Sequence, residues 1–331
     1  MTFLTDTLSN IKKFLVESGG EISSADQIEE ISFTPQRLDL RGSTTVHEGG
    51  MIQDLKIARS SGAEDLAIRW FTDGIQKTFL IGTFDFGRNP VTVHYSIIAS
   101  LIIGFRNGGF EMWGQPRIQE FALISKDLLG AELPKGFLDT GEKTGYFGAQ
   151  RYAAVMRSRQ ERHKLEASHL YDWAEETKYK EKILVDGSLA HLPKPIPCAV
   201  GLCKDNHPLF FTPETQRNIL SLGYSERSAL FSYATPQKDE ITSWFLRIRQ
   251  PRAHSANFGL IRPEVYEGMP LDPGSVDEVS RLVFSLRNPV AYPSPKWERL
   301  VYPLKICTDF LTNHLPKVET IKWFLHGAIV T

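Results

Sequence analysis

The sequence predicts a mixed α/β fold, a sheet flanked by helices. Two observations carry that expectation. Apolar, β-branched segments between residues 66 and 105 follow one another with short polar breaks, the pattern of an antiparallel meander. A long charged segment without proline, residues 146–177, then separates them from further short apolar segments, so helix and strand alternate.

Residues 3–17 place Phe3, Leu4, Leu8, Ile11, Phe14 and Leu15 at helical spacing and predict an amphipathic helix. Its apolar stripe is expected to pack on the same chain or on a second subunit. Residues 18–62 are rich in Gly, Ser, Asp and Glu and predict an irregular connector with short elements. The chain is thus divided into 1–62, helix and connector with a partner or dimer contact, and 63–331, the larger domain. Leu66–Phe71 is a short apolar strand that ends in Thr72-Asp73-Gly74, and Gln76–Phe84 is a second strand. Asp85 to Pro90 is a turn. Val91–Phe105 is the third strand of the meander, and residues 106–145 carry no clear element. After the helix over 146–177 come a strand at Lys182–Val185 ending in Asp186-Gly187-Ser188, a Pro-rich loop, and a strand over 198–204. A helix over 213–222, strands over 243–248 and 258–265, and helices over 276–286 and 297–311 complete the pattern.

Composition excludes several classes. The chain has 331 residues, enough for one large domain or two small ones. Lys and Arg number 38 against 39 Asp and Glu, so a histone-like coat is excluded while a local basic groove is not. Cys198, Cys203 and Cys307 have neither a disulfide nor a zinc spacing, and are expected as core thiols. The N-terminus lacks a signal-peptide pattern, and the longest apolar stretch, Ser96–Phe105, is short of the ~20 residues that span a bilayer, so a cytoplasmic protein without membrane contact is expected. No G-x-x-x-x-G-K-[ST] run occurs, so long-range movement on a polymer needs a partner ATPase.

The chemistry centres on two Asp-Gly pairs, Asp73-Gly74 and Asp186-Gly187, each expected at the end of an apolar strand. Carboxylates on adjacent strand ends can meet at a hard divalent cation, which prefers oxygen ligands. The plain alternative is that Asp-Gly is a common turn dipeptide. The long helix offers a third carboxylate. At ~100° per residue, Glu166 falls in the apolar sector with Val155, Leu170 and Trp173, and Glu161 falls on the opposite face. A Glu in that sector needs a partner, either a metal ion or an ion pair with Arg159 or His163. Arg247, Arg249, Arg252 and Arg262 cluster on the late strands, either as phosphate forks or as solvated strand-edge residues. Trp70, Trp113, Trp244 and Trp297 are core residues or base-stacking platforms.

In order along the chain, FTDGIQKTFLIG, PVTVHYSIIASLI, ILVDGSLA, AVGLCKDNH, SWFLRIRQ with GLIRPEV, and LVYPLKICTDFL resemble motifs of the NurA nucleases, over roughly residues 66–312. The resemblance implies an RNase H-like core and a DNA nuclease that works with a HerA-type hexameric ATPase translocase as a homodimer, in end resection or in anti-phage defence. It implies Mn²⁺ or Mg²⁺ in a two-metal site at Asp73, Glu166 and Asp186, where paired ions activate water and stabilise the leaving oxygen. Lys204, Arg247 and Arg262 would face DNA phosphates, and Tyr302 would orient the phosphate or the water. The family's histidine two turns after that tyrosine is missing here, and Asp309 is the candidate replacement. That gap leaves two other functions open: a catalytically weakened adaptor subunit of a translocase complex, and a phosphohydrolase acting on small nucleotides.

Overall fold

The computed structural model describes residues 2–31, 45–46, 52–54, 68–85, 90–204, 211–235, 239–253, 255–266, 273–287 and 297–327. The side chains of Phe3 and Leu4, most of the connector after residue 31, and the turn residues Phe86 to Asn89 lie outside that set.

Five strands form the central sheet: β1 (Ile68–Phe84), β2 (Val91–Arg106), β3 (Arg117–Ile124), β4 (Lys182–Asp186) and β5 (Ala199–Cys203). Their spatial order is β3-β2-β1-β4-β5, and β2 alone runs against the others. This is the strand order of an RNase H-like core, inside a mixed sheet flanked by helices. Three later strands, β6 (Phe231–Ala234), β7 (Glu240–Ser243) and β8 (Leu260–Tyr266), extend it antiparallel beyond β5 in the order β8-β7-β6.

Two strand expectations need correction. Residues 68–71 and 76–84 belong to one strand, and Thr72-Asp73-Gly74 runs through its middle without turning. Gly74 is not in the left-handed region; it pairs with Ser100 as ordinary sheet. The third meander strand is Arg117–Ile124, inside the stretch that carried no clear element. Its first half is half-exposed and polar while its second half is buried, so it lacks the alternation that marks a strand.

The helices are α1 (Thr2–Glu17), α2 (Phe147–Glu176), α3 (Pro213–Leu220), α4 (Pro273–Ser285), α5 (Tyr302–His314) and α6 (Val318–His326). Helix α5 begins at residue 302 rather than 297, because Pro303 has no N–H to donate and suits only a first turn. Helices α2 and α5 sandwich β1. Trp70 packs edge-on to Trp173 of α2 at 6.1 Å, whereas Phe71, on the opposite face, packs in the core that holds Leu304, Cys307 and Leu311 of α5.

A polar seam fixes α2 on the sheet. Gln150 accepts from the Thr92 backbone N–H at 2.8 Å, Ser158 and Ser96 hydroxyls meet at 2.5 Å, and His169 Nδ1 lies 3.1 Å from the Ser100 hydroxyl. Buried polar groups of this kind have few alternative partners, so they set the helix register. Helix α1 belongs to the same core. Leu8, Ile11 and Leu15 are fully buried, Phe14 packs on Phe84 at 5.5 Å, and Lys12 donates to the Leu325 carbonyl of α6 at 2.9 Å. The three cysteines are buried and unpaired. Among the described residues no helix is long and apolar enough to cross a membrane.

His94 on β2 is buried, and burial, with the Arg151 guanidinium nearby, lowers its pKa from 6.5 to about 3. Between those values the unfolded chain binds a proton that the native protein refuses. Stability is therefore retained above pH 6.5 and lost as pH falls toward 3. We expect His94→Leu to flatten the pH dependence of unfolding free energy between pH 6 and pH 4 by about 1.4 kcal/mol per pH unit, measured by urea denaturation. Parallel curves for the two proteins would refute the assignment.

Candidate active site

The site forms where β4 stops and β1 continues. Strand β4 pairs with β1 only as far as Val185 opposite Thr72, which brings Asp73 and Asp186 to neighbouring positions at the sheet's edge. From residue 74 to residue 77 that edge of β1 has no strand partner among the described residues. Gly74 presents its free N–H and carbonyl there. The N–H donates to Asp73 Oδ1 at 2.7 Å, and the carbonyl accepts from Arg162 Nη1 at 2.9 Å.

Glu166 fills the space beside Gly74. A Cβ on residue 74 would stand 1.8 Å from Glu166 Oε1 and 2.6 Å from its Cδ. Gly74 therefore serves as the seat of a carboxylate, not as the pivot of a turn. Arg162, one helical turn before Glu166, donates to Glu166 Oε1 at 2.7 Å, so the ion-pair partner is Arg162 and neither Arg159 nor His163. Glu161 lies away from the site and pairs with Arg157 at 2.9 Å and Lys164 at 2.8 Å.

Each carboxylate has its own counterpart. Asp73 accepts from the Thr308 hydroxyl of α5, and Asp186 is ion-paired with Lys204, just past the end of β5. Burial, with the Asp186 charge beside it, raises the Asp73 carboxyl to about 7. Burial raises Glu166 to about 7 as well, against the pull of Arg162 and with the added push of Asp73 and Asp186. Burial alone would lower the Lys204 ammonium, but Asp186 and Asp73 hold it above its ordinary range. Three acids thus share one field with two fixed cations. Among the described residues, no three His, Cys, Asp or Glu side chains are set to hold an ion as they stand. Carboxylate oxygens are nevertheless the donor type that a hard divalent cation takes, and here two of the three acids are paired with Lys204 and Arg162.

The turn after Asp186 is clamped from below. Glu264, wholly buried on β8, accepts from the Ser188 hydroxyl at 2.6 Å, the Leu189 N–H at 2.5 Å and the Tyr233 hydroxyl at 2.8 Å, and pairs with Arg262 at 2.7 Å. Gly187 takes a φ of +111°, which releases the chain sharply after Asp186. His191 closes the far side, its Nε2 3.9 Å from Glu166 and its ring 4.3 Å from that of His163. Burial, then the nearby Arg162 charge, keeps the His191 imidazole neutral, with a pKa of about 4.

Several expected site residues stand elsewhere. Arg247 is fully buried and donates to the backbone carbonyls of Leu220, Leu222, Ala256 and Phe258, so its guanidinium is committed to the fold and not to phosphate. Arg262 is buried in the Glu264 network. Tyr302 opens α5, roughly 9 Å along the helix axis from Thr308. It is half-exposed, with its ring 6.2 Å from that of Phe110 and not at the carboxylates. Asp309 pairs with Lys305 on the exposed side of α5; the residue of that helix that reaches Asp73 is Thr308. Trp70 and Trp244 are core residues. Sequence reasoning missed Arg162, Thr308 and Glu264. Only Arg162 left a signal, its position four residues before Glu166 on the same helix face.

No protein-family model matches the chain, and no curated protein does. Its structure is similar to that of a NurA nuclease. The crystal structure of the NurA nuclease from Sulfolobus solfataricus aligns over 73% of this chain and 78% of its own, with 14% identity and a TM-score of 0.43.

Because the Gly74 seat is defined by the Glu166 side chain, the two positions should be coupled. Gly74→Ala is expected to destabilise the protein by about 1–3 kcal/mol through overpacking. In the Glu166→Ala background the same Gly74→Ala change should cost little, a non-additivity read from a double-mutant cycle measured by chemical denaturation. Strictly additive effects would mean that Gly74 is needed for its backbone alone.

Proposed function

We propose that the protein is a metal-dependent nuclease that hydrolyses DNA phosphodiester bonds at Asp73, Glu166 and Asp186. The observation that carries this is the arrival of three carboxylates, from β1, α2 and β4, in one shielded field at the edge of an RNase H-like sheet. Mn²⁺ or Mg²⁺ held there would supply charge stabilisation at the phosphorus and the departing 3′ oxygen and would make water a competent nucleophile. The chain's own residues do the rest. Asp73 and Asp186 present oxygens from a rigid sheet, with Thr308 fixing the rotation of Asp73. Arg162 fixes Glu166 and at the same time satisfies the Gly74 carbonyl. Lys204 supplies positive charge for the phosphate backbone of the substrate.

A HerA-type hexameric ATPase is the motor we propose for movement along DNA, with the nuclease as a homodimer in the cytoplasm. The apolar stripe of helix α1 packs within the chain's own core, so such contacts would not use that stripe. A second function, a non-catalytic adaptor on the same fold, is favoured by one observation: Asp186 and Glu166 are already neutralised by Lys204 and Arg162.

Incubation with linear duplex DNA and Mn²⁺ separates them. The wild type should cut, chelation should stop it, and Asp186→Asn should lower the rate by about a hundredfold or more. Intact DNA under all conditions would leave the adaptor. Turnover of mononucleotides with no cutting of DNA would make the protein a small-nucleotide phosphohydrolase.

A further inference from the structure

A row of aromatic rings reaches the surface on the face of the sheet that carries Asp73. Asn107 and Gly108 both take a positive φ, 52° and 78°, and join β2 to the short strand Gly109–Met112 in a two-residue hairpin. Its register sets Phe105 opposite Phe110 and Ile103 opposite Met112, so these four side chains share one face. That face is the one covered by α5, because Ile103 also stands opposite Phe71. Phe110 is the hub of the row: its ring lies edge-on to Phe105 at 5.1 Å, to Tyr302 at 6.2 Å and to buried Phe71 at 6.3 Å. Phe71 stands two residues before Asp73, about 7 Å along the same strand and on the same side.

Tyr302 is 47% exposed, Phe105 45% and Met112 42%. Large apolar side chains held open to water by a tight hairpin gain nothing from burial, so a cluster of them marks a binding surface. The row has four side chains, whereas a stable contact between proteins takes about 20–30 residues a side. Its size suits one or two nucleobases, whose flat faces stack on aromatic rings whatever their identity. Charge agrees with that occupant. Glu111 and Glu181, the acids beside the hairpin, pair with Arg106 at 3.5 and 3.6 Å on the opposite face, where the guanidinium also lies over Trp70. Lys182, opposite Ile68 on β4, stands on the same face as the aromatic row.

We propose that Phe105, Phe110 and Tyr302 form a stacking platform for the bases of an unpaired DNA strand, and that such a strand is the form of substrate led to the notch. The choice of DNA rests on the nuclease function proposed above, but stacking itself needs no metal ion. A base inside a duplex is covered on both faces by its neighbours, so only an unpaired one can lie on these rings without a cost in unstacking. Trp70 and Trp244 cannot serve in this way, since both are buried in the core. Tyr302 thus acts on the bases, at the head of α5, while Thr308 further along the same helix acts on Asp73.

DNA binding to the full chain in the presence of a chelator, where nothing is cut, tests this. The probes are a single-stranded oligonucleotide carrying 2-aminopurine, a duplex of the same length, and an abasic strand with the same number of phosphates. The wild type should bind the single strand most tightly and quench its 2-aminopurine fluorescence, as stacking does. Tyr302→Ala and Phe105→Ala should each weaken single-strand binding by about fivefold to a hundredfold, the range of one lost base stack, and leave the duplex and the abasic strand unaffected. Tyr302→Phe keeps the ring and should bind like the wild type. If the alanine variants match the wild type on the single strand, if they lose the abasic strand equally, or if the wild type binds no single strand, the platform is refuted. A wild-type dimer that Tyr302→Ala splits in size-exclusion chromatography would refute it too, and make the row a contact between copies. In each of these cases the nuclease function still stands if Mn²⁺-dependent cutting is seen. Stacking by a protein that cuts no DNA would keep the platform as a nucleic-acid surface and remove the nuclease.

Discussion

Like charges buried together must be answered by opposite charge, and the candidate site is organised around that requirement. Asp73, Glu166 and Asp186 are held in a space shielded enough to raise two of them to about 7. Lys204 and Arg162 answer part of that charge, and the Thr308 hydroxyl answers a little more. Replacing such a buried pair by well-packed apolar residues is often neutral or stabilising by about 1–4 kcal/mol, so the arrangement is costly to keep unless it does something. A wholly apolar notch at the same place would be easier to fold.

The fold makes the notch by ending one strand early. Strand β4 stops at Asp186 while β1 runs on to Phe84, and the backbone of Gly74 on that side is satisfied by Asp73 and Arg162 instead of by a neighbouring strand. Two helices then deliver side chains from opposite faces of the sheet, Glu166 from α2 and Thr308 from α5. Behind them, Glu264 gathers Ser188, Leu189, Tyr233 and Arg262 into one buried network that fixes the turn leaving Asp186. Arg247 and Arg262 look like ligands for phosphate in the sequence, yet their guanidinium groups bind carbonyls and a carboxylate inside the protein.

Much of the fold was legible because periodicity reports burial. The 3.6-residue pattern located α1, the long charged run without proline located α2, and the β-branched run located β2. Where the pattern failed, a physical reason is visible. Asp-Gly in the middle of β1 looks like a turn, but the glycine is there for the carboxylate that lies against it, and a sequence does not say what will be packed on a missing side chain. Strand β3 escaped notice because its two halves face different environments. Within the site, the helix geometry that separated Glu166 from Glu161 matches their placement beside and away from Asp73. Thr308 could not be foreseen, because its contact joins residues 235 positions apart. Asp309 was the natural candidate by charge, but one residue along a helix turns the side chain by about 100° and carries it to solvent.

The most direct measurement is a crystal of the protein soaked in Mn²⁺, with anomalous scattering used to locate the ion. Density bounded by oxygens of Asp73, Glu166 and Asp186 is the predicted result. A crystal soaked to saturation in which manganese is absent from that notch, or lies only elsewhere, would contradict the account.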